Sequence, residues 1–317
     1  MGRLPTGFII VTIPAYNFMA YLNAKKTVDD RALNRTVLQS LTNALPVTTP
    51  EKPVRVLEVA AGIGTMLERL LEWHVLNQVH YTALDLSTDC IKTAIKRLPD
   101  WVSKLGFQVE QIGATQFQLF RAQQIVTVQF ETIDAFQFVE QEREANQQWD
   151  VLIAHAFWDL VDVSALLPKL LNLLTAQGLY YFSINFDGET ILLPTIDETI
   201  DAQIINLYHQ AMNDQHVHNK VGAGTRTGRH LFRHLASANT KLLNAGSSDW
   251  VVFPTEGGYP DDEAYFLHCI IHSMRMMLQD QLTPQIRAWL DERHAQIEVG
   301  KLIYIAHQLD FVGRVAS

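Results

Sequence analysis

Cysteine is nearly absent: Cys90 and Cys269 are the two in a chain of 317 residues, and neither sits in a Cys-x-x-Cys pair. That scarcity argues against a disulfide scaffold or a cysteine-bound metal and fits a reducing, cytoplasmic setting. Long basic runs are missing too. Lys and Arg number 25 against 34 Asp and Glu, a formal net charge of −9. Nucleic acid is therefore not an expected partner, because phosphate contacts need clustered cations. Apolar runs stay short of the roughly 18 residues of a membrane span. Gly7–Val11 is apolar, but Pro14 and Asn17 interrupt it, and one Arg before so short a stretch makes a poor secretory signal. No membrane partner is expected. Met1–Thr6 fits the myristoylation pattern, which is short enough to arise often by chance. There is no internal repeat or low-complexity tract. What is present is 48% hydrophobic residues, enough for a sizeable core in one large or two average domains.

The most informative stretch is Val54–Thr65, a short apolar strand that runs into the turn Ala60-Ala61-Gly62-Ile63-Gly64 and then into the helical stretch Met66–Trp73. A glycine turn between strand and helix lets backbone approach a ligand closely, because no Cβ intervenes. Glu58 stands at the end of this strand. About twenty residues on, a second strand, Tyr81–Leu86, carries Asp85 near its tip, where an acid can accept hydrogen bonds from both ribose hydroxyls. The pattern points to a nucleoside, belonging either to a dinucleotide or to S-adenosylmethionine. A dinucleotide fingerprint needs a third glycine, which would fall at bulky Leu67, and no basic residue is close enough in sequence to serve a phosphate.

Residues Glu58 to Gly64 resemble motif I of the class I S-adenosylmethionine-dependent methyltransferases, Glu/Asp-x-Gly-x-Gly-x-Gly. Glu58, Gly62 and Gly64 match, and Ala60 replaces the first glycine. The resemblance continues in order through strand-like runs at Ile125–Phe130, Trp149–His155 and Gly178–Asn185, the last after a helix at Val163–Leu174 and a Thr175–Gly178 stop. It implies a Rossmann-like α/β fold with a seven-stranded, mostly parallel sheet, an antiparallel last strand and helices on both faces. By the same resemblance, Glu58, Ala60, Gly62 and Gly64 would hold the methionine part of the cofactor. Asp85, with Leu86 beside it, would hold the ribose, Asp134 and Ala135 would meet the adenine, and His155 would border the cofactor site.

Helical spacing from Pro14 to Leu45 predicts an N-terminal helical cap over residues 1–50, followed by a catalytic domain over 51–317 with insertions near 187–228 and 260–300. Asp29-Asp30-Arg31 is expected to open the second helical piece, since acids suit a first turn. Lys25, Arg31 and Arg35 are candidate partners for a cofactor carboxylate, or simply a solvated face. A helix is expected near Ile200–Met212, a loose segment over Asn213–Gly228, and one or two helices within Asp261–Glu298. The sixth strand is expected in Lys241–Val252, most β-like at Trp250–Phe253, and the seventh over Leu302–Phe311.

Methyl transfer from a sulfonium asks for alignment and sometimes a base. His155 and Asp159, after the fourth strand, are the catalytic candidates, although Asp159 could equally cap a helix starting near Val161. Tyr181, Asn185, His268 and His272 are candidates for contact with the acceptor. His268 and His272 lie four apart, as do His230 and His234, but two such pairs among 12 histidines make no known metal pattern, and no metal is expected. Met274, Met276 and Met277 would line an apolar pocket or pack the core. The absence of Asn/Asp-Pro-Pro-Tyr after the fourth strand, and of a Pro-Cys nucleophile, sets aside enzymes that methylate nucleic-acid bases. A small-molecule acceptor is expected, and a homodimer is left open. Two other readings also stay open: an NAD(P)-dependent oxidoreductase and a non-catalytic S-adenosylmethionine-binding protein.

Overall fold

Val54, Val56, Leu57 and Val59 are all but inaccessible to solvent, the mark of a central parallel strand covered on both faces. In the computed structural model, which describes residues 14–145, 148–214, 216–217, 220–221 and 224–316, this strand is β1 (Val54–Val59). Before it come helices α1 (Phe18–Ala32) and α2 (Arg35–Ala44). After it come α3 (Thr65–Glu72), β2 (Val79–Asp85), α4 (Thr88–Lys104), β3 (Gln108–Gln111), β4 (Gln116–Arg121) and β5 (Gln124–Thr132). The chain continues through α5 (Ala135–Ala145), β6 (Trp149–His155), α6 (Val163–Leu171), β7 (Leu174–Leu193) and α7 (Glu198–Asp214). The remainder is β8 (His216–Val217), β9 (Lys220–Val221), α8 (Thr227–Ser237), β10 (Thr240–Ser247), β11 (Trp250–Val252), α9 (Glu263–Met277), α10 (Pro284–Glu298) and β12 (Ile303–Val315). The apolar and myristoylation-like patterns read at the N-terminus lie outside the described residues.

Among the described residues the main sheet has ten strands in the order β10-β12-β7-β6-β1-β2-β5-β4-β3, with β11 beside β12. Pairing is parallel from β5 through β2, β1 and β6 to β7, and β12 runs antiparallel to β10. The seven expected strands are therefore present as β1, β2, β5, β6, β7, β10 and β12. Three more correct the expected count. The β3–β4 hairpin escapes a hydropathy reading because Val109 is the one apolar residue of Gln108–Gln111, as suits a sheet edge, and only Phe117 and Leu119 of β4 turn inward.

Two further expectations are corrected. Thr175–Gly178 does not stop the chain but lies inside β7, where the register jumps from Trp149↔Leu174 to Val151↔Leu179. Gln177 there has φ 65, so the turn-like composition makes a bulge rather than a break. Asp29, Asp30 and Arg31 end α1 instead of opening α2. The N-cap of α2 is Asn34, whose side chain accepts the N–H groups of Thr36 and Val37.

The described chain divides into two compact units. Its described residues fall in one unit within 29–188, 213–250 and 307–316, and in another within 14–28, 189–212 and 251–306. The first holds the parallel sheet and a core in which Leu152, Ala154, Tyr180 and Phe182 pack with Leu166, Leu167 and Leu170 of α6 and Leu231 of α8. In the second, α9 and α10 pack on one another. No helix among the described residues is long and apolar enough to cross a membrane.

Candidate functional site

Chain order reverses direction in the sheet at β1. Successive strands step outward on one side through β2 and β5, then the chain returns to β6 on the other side. The loops leaving β1 and β6 therefore diverge and leave a crevice at the carboxyl ends, where open α/β sheets take ligands. Both loops begin with a non-glycine residue in the left-handed region, Ala60 at φ 54 and Ala156 at φ 50, a conformation with an energetic cost that clusters at functional sites.

The β1 loop is a tight cradle. Gly62 and Gly64 have φ of 55 and 83, and the Gly64 N–H donates to the carbonyl of Ala61 at 2.9 Å. Ala61 and Ile63 are buried and anchor the turn, while Ala60, Gly62 and Thr65 remain partly accessible. Gly64 is the N-cap of α3 and offers no side-chain cap, so the first N–H groups of that helix are left for another acceptor.

Asp85 closes the cradle from the tip of β2. Its Oδ2 accepts the Gly62 N–H and its Oδ1 accepts the Ser87 N–H, each at 2.8 Å. Burial raises its pKa, an effect that these two donors and the Cys90 thiol offset only in part. Leu86 beside it is exposed. Ser87 was missed in the sequence. It is the N-cap of α4 and accepts the Cys90 N–H, and a serine two residues before Asp89 at a helix start was the available signal.

Asp134 sits after β5, where the Ile133 N–H donates to the Asp85 carbonyl at 3.0 Å. Its Oδ1 accepts the N–H groups of Phe136 and Gln137, so it caps the start of α5, with Ala135 half-buried next to it. Glu58 lies beneath the cradle, 1% exposed, with Oε2 accepting the Tyr81 hydroxyl at 2.8 Å. Burial lifts its pKa to about 8, so at neutral pH it keeps its proton.

His155, at the end of β6, is tied on both sides. Its Nδ1 lies 2.9 Å from Ser183 Oγ and its Nε2 2.9 Å from Asp29 Oδ2. Asp29 also accepts the Trp250 indole N–H and pairs with Arg69, which bonds Asp30 as well. Asp29 and Arg69 carry no sequence motif that links them to His155. Arg69 had a signal, since it falls on the apolar face of α3 among Met66, Leu67 and Leu70.

The remaining candidates separate. Asp159 lies half-buried in a 3-10 turn, Trp158–Leu160, and the cap of the following helix is Asp162, not Asp159. Tyr181 and Asn185 are fully buried in β7, and the Asn185 amide donates to the Leu309 carbonyl, so neither presents an open surface to an acceptor. His268 and His272 belong to the other compact unit, where His272 stacks on Tyr16 and His268 bonds His294 and Glu298. Arg35 lies over the Trp73 ring at 3.5 Å. Among the described residues no group of three His, Cys, Asp or Glu is arranged to hold a metal.

No family model matches the chain, and no curated protein matches it. Solved structures do. One from Bacillus halodurans C-125, described as a candidate methyltransferase, is 12% identical with a TM-score of 0.49, covering 89% of this chain and 100% of that one. The cyclopropane synthase of Mycobacterium tuberculosis is 10% identical with a TM-score of 0.43, covering 94% and 98%. The geranyl diphosphate C-methyltransferase of Streptomyces coelicolor A3(2), solved with S-adenosyl-L-homocysteine, is 9% identical with a TM-score of 0.42, covering 87% and 74%. Likeness at this distance decides neither family nor activity.

Proposed function

We propose that this chain is an S-adenosylmethionine-dependent methyltransferase acting on a small-molecule acceptor. One observation carries the reading: at the switch point, a left-handed Gly62–Gly64 turn opens into an uncapped helix start and is tied through Gly62 to Asp85 at the tip of β2.

The residues present fit the cofactor. The N–H groups at the start of α3 suit its carboxylate. Each Asp85 oxygen accepts one backbone donor, the Cys90 thiol also bonds the carboxylate, and the acceptor capacity that remains suits a ribose hydroxyl. Asp134 spends Oδ1 on its helix cap, which leaves Oδ2 for the adenine amino group. A dinucleotide suits the turn less well, because fully buried Leu67 occupies the place of the third glycine. When bound, S-adenosylmethionine supplies an activated methyl group on a good leaving group.

The protein's own contribution is then positioning. We assign His155 to holding the end of α1 against β6, since both ring nitrogens already have partners. Asp159, half-buried in the turn after β6, is our candidate for taking a proton from an acceptor. The net charge of −9 supports a small molecule over nucleic acid. Cys90 and Cys269, buried and not disulfide-bonded, support a reducing, cytoplasmic setting.

Incubation with methyl-labelled S-adenosylmethionine and a metabolite extract tests the activity. Label in a small product supports the proposal. Label only in macromolecules would overturn the acceptor class, and no enzyme-dependent label would overturn catalysis.

A further inference from the structure

Helix α10 ends on Glu298, with no basic residue in its last turn. An acid at that position faces the negative end of the helix macrodipole, an unfavourable arrangement unless a cation is supplied nearby. Glu298 also forms one wall of a cavity of about 360 Å³ that lies wholly within the unit containing α9 and α10. It is lined as well by Tyr259, by Ala264 and His268 of α9, by Ile297 and Val299, and by Gly258 and Gly300. Tyr259 is held by its hydroxyl, which donates to the Leu302 carbonyl at 2.8 Å.

The hydrogen-bond partner of Glu298 is His268, whose Nε2 lies 2.9 Å from Oε1. A carboxylate only accepts, so this nitrogen carries the proton. His268 Nδ1 is 2.8 Å from Nδ1 of His294, and the two rings stack at 5.1 Å. His294 is buried and its pKa is lowered to about 4, chiefly by burial, with His268 adding to the shift, so it is neutral at pH 7. Burial lowers the pKa of His268 as well, against the opposing pull of Glu298. A neutral His268 must accept at Nδ1 from His294, which fixes both tautomers and leaves the Glu298 charge without a full counter-charge.

We infer that this cavity binds a small organic cation, an ammonium group with an apolar body, with its charge on Glu298 and its body against Tyr259, Ile297 and Val299. A metal ion does not suit the donors. His268 turns a proton toward Glu298 and its other lone pair is taken by His294. The volume falls in the range of small-ligand sites. An aromatic wall beside a carboxylate is the usual company of an ammonium ion.

The test needs no nucleoside, so it stands or falls apart from the methyl-transfer reading. The full chain is titrated calorimetrically with n-butylammonium, cyclohexylammonium and 2-phenylethylammonium ions, and with the matching alcohols. At least one ammonium ion should bind about tenfold or more tightly than its alcohol. Glu298→Gln, which keeps an acceptor for His268, should remove that preference. Ala264→Leu, which fills the cavity and leaves the charge, should weaken both probes and serves if the first variant proves unstable. The inference is overturned if no ammonium ion binds at about 10 mM, if amine and alcohol bind alike, or if the preference survives both substitutions.

Discussion

The Gly62 N–H donates to Asp85 Oδ2 at 2.8 Å, joining the turn after β1 to the tip of β2 across 23 residues of sequence. The bond makes one unit of two features that a motif search treats separately. Asp85 both shapes the turn and presents a carboxylate beside it, so its removal should affect binding twice over.

Asp85→Ala is therefore expected to weaken S-adenosylhomocysteine binding by about 1–3 kcal/mol, the cost of leaving polar partners unpaired. Leu86→Ala, at an exposed neighbour, should change it far less. Calorimetric titration of both variants checks the pair, and equal losses would mean that the carboxylate plays no special part.

Gly64→Ala isolates the backbone. A Cβ there would meet only ordinary contacts, 3.6 Å from Ala94 Cβ, so the cost comes from φ of +83. Chemical denaturation should show a loss of about 1–2 kcal/mol. Gly257, whose added Cβ would meet nothing within 4 Å, is the control, and Gly257→Ala should stay within about 0.5 kcal/mol.

Burial makes Glu58 a source of pH dependence. Its pKa rises from 4.5 to about 8, so between those values the folded chain holds a proton that the unfolded chain has released. Its contribution is complete below pH 4.5 and is lost as pH rises through about 8. Asp310 behaves alike over a lower window, from 3.8 to about 6. Urea denaturation across pH should show Glu58→Gln flattening the decline above about pH 6, while the part due to Asp310 remains.

The buried pair of Asp29 and Arg69 predicts a large stability effect far from any exposed surface. Their side chains are 2% and 0% exposed, and Asp29 also holds Trp250 and His155. Asp29→Ala should cost about 3–5 kcal/mol, because Trp250, His155 and Arg69 each lose a buried partner while Arg69 keeps Asp30 as an ion-pair partner. Lys169→Ala, which breaks the exposed pair with Glu140, should cost under about 1 kcal/mol.

What could be read in the sequence follows a physical line. The strands β1 and β6 announce themselves because central parallel strands are apolar on both faces, and the cradle because glycine and acid fall at fixed spacing around them. The β3–β4 edge hairpin is silent because an edge strand does not need an apolar run. Asp29 was misread because a first-turn acid and a buried partner of Arg69 look the same in sequence, and the residues that decide between them lie 40, 126 and 221 positions away. The Tyr81–Glu58 bond is equally invisible, although it joins adjacent strands two residues apart in register. Tyr181 and Asn185 lie within β7, which runs on to Leu193, and both side chains are buried there, which alternation along a strand buried on both faces does not reveal.

The most direct test of the proposed nucleoside site is calorimetric titration of the full chain with S-adenosylmethionine, S-adenosylhomocysteine and NAD. The account predicts saturable binding of both sulfur compounds, weakened by Asp85→Ala, and none of NAD. Binding of NAD with neither sulfur compound would contradict it.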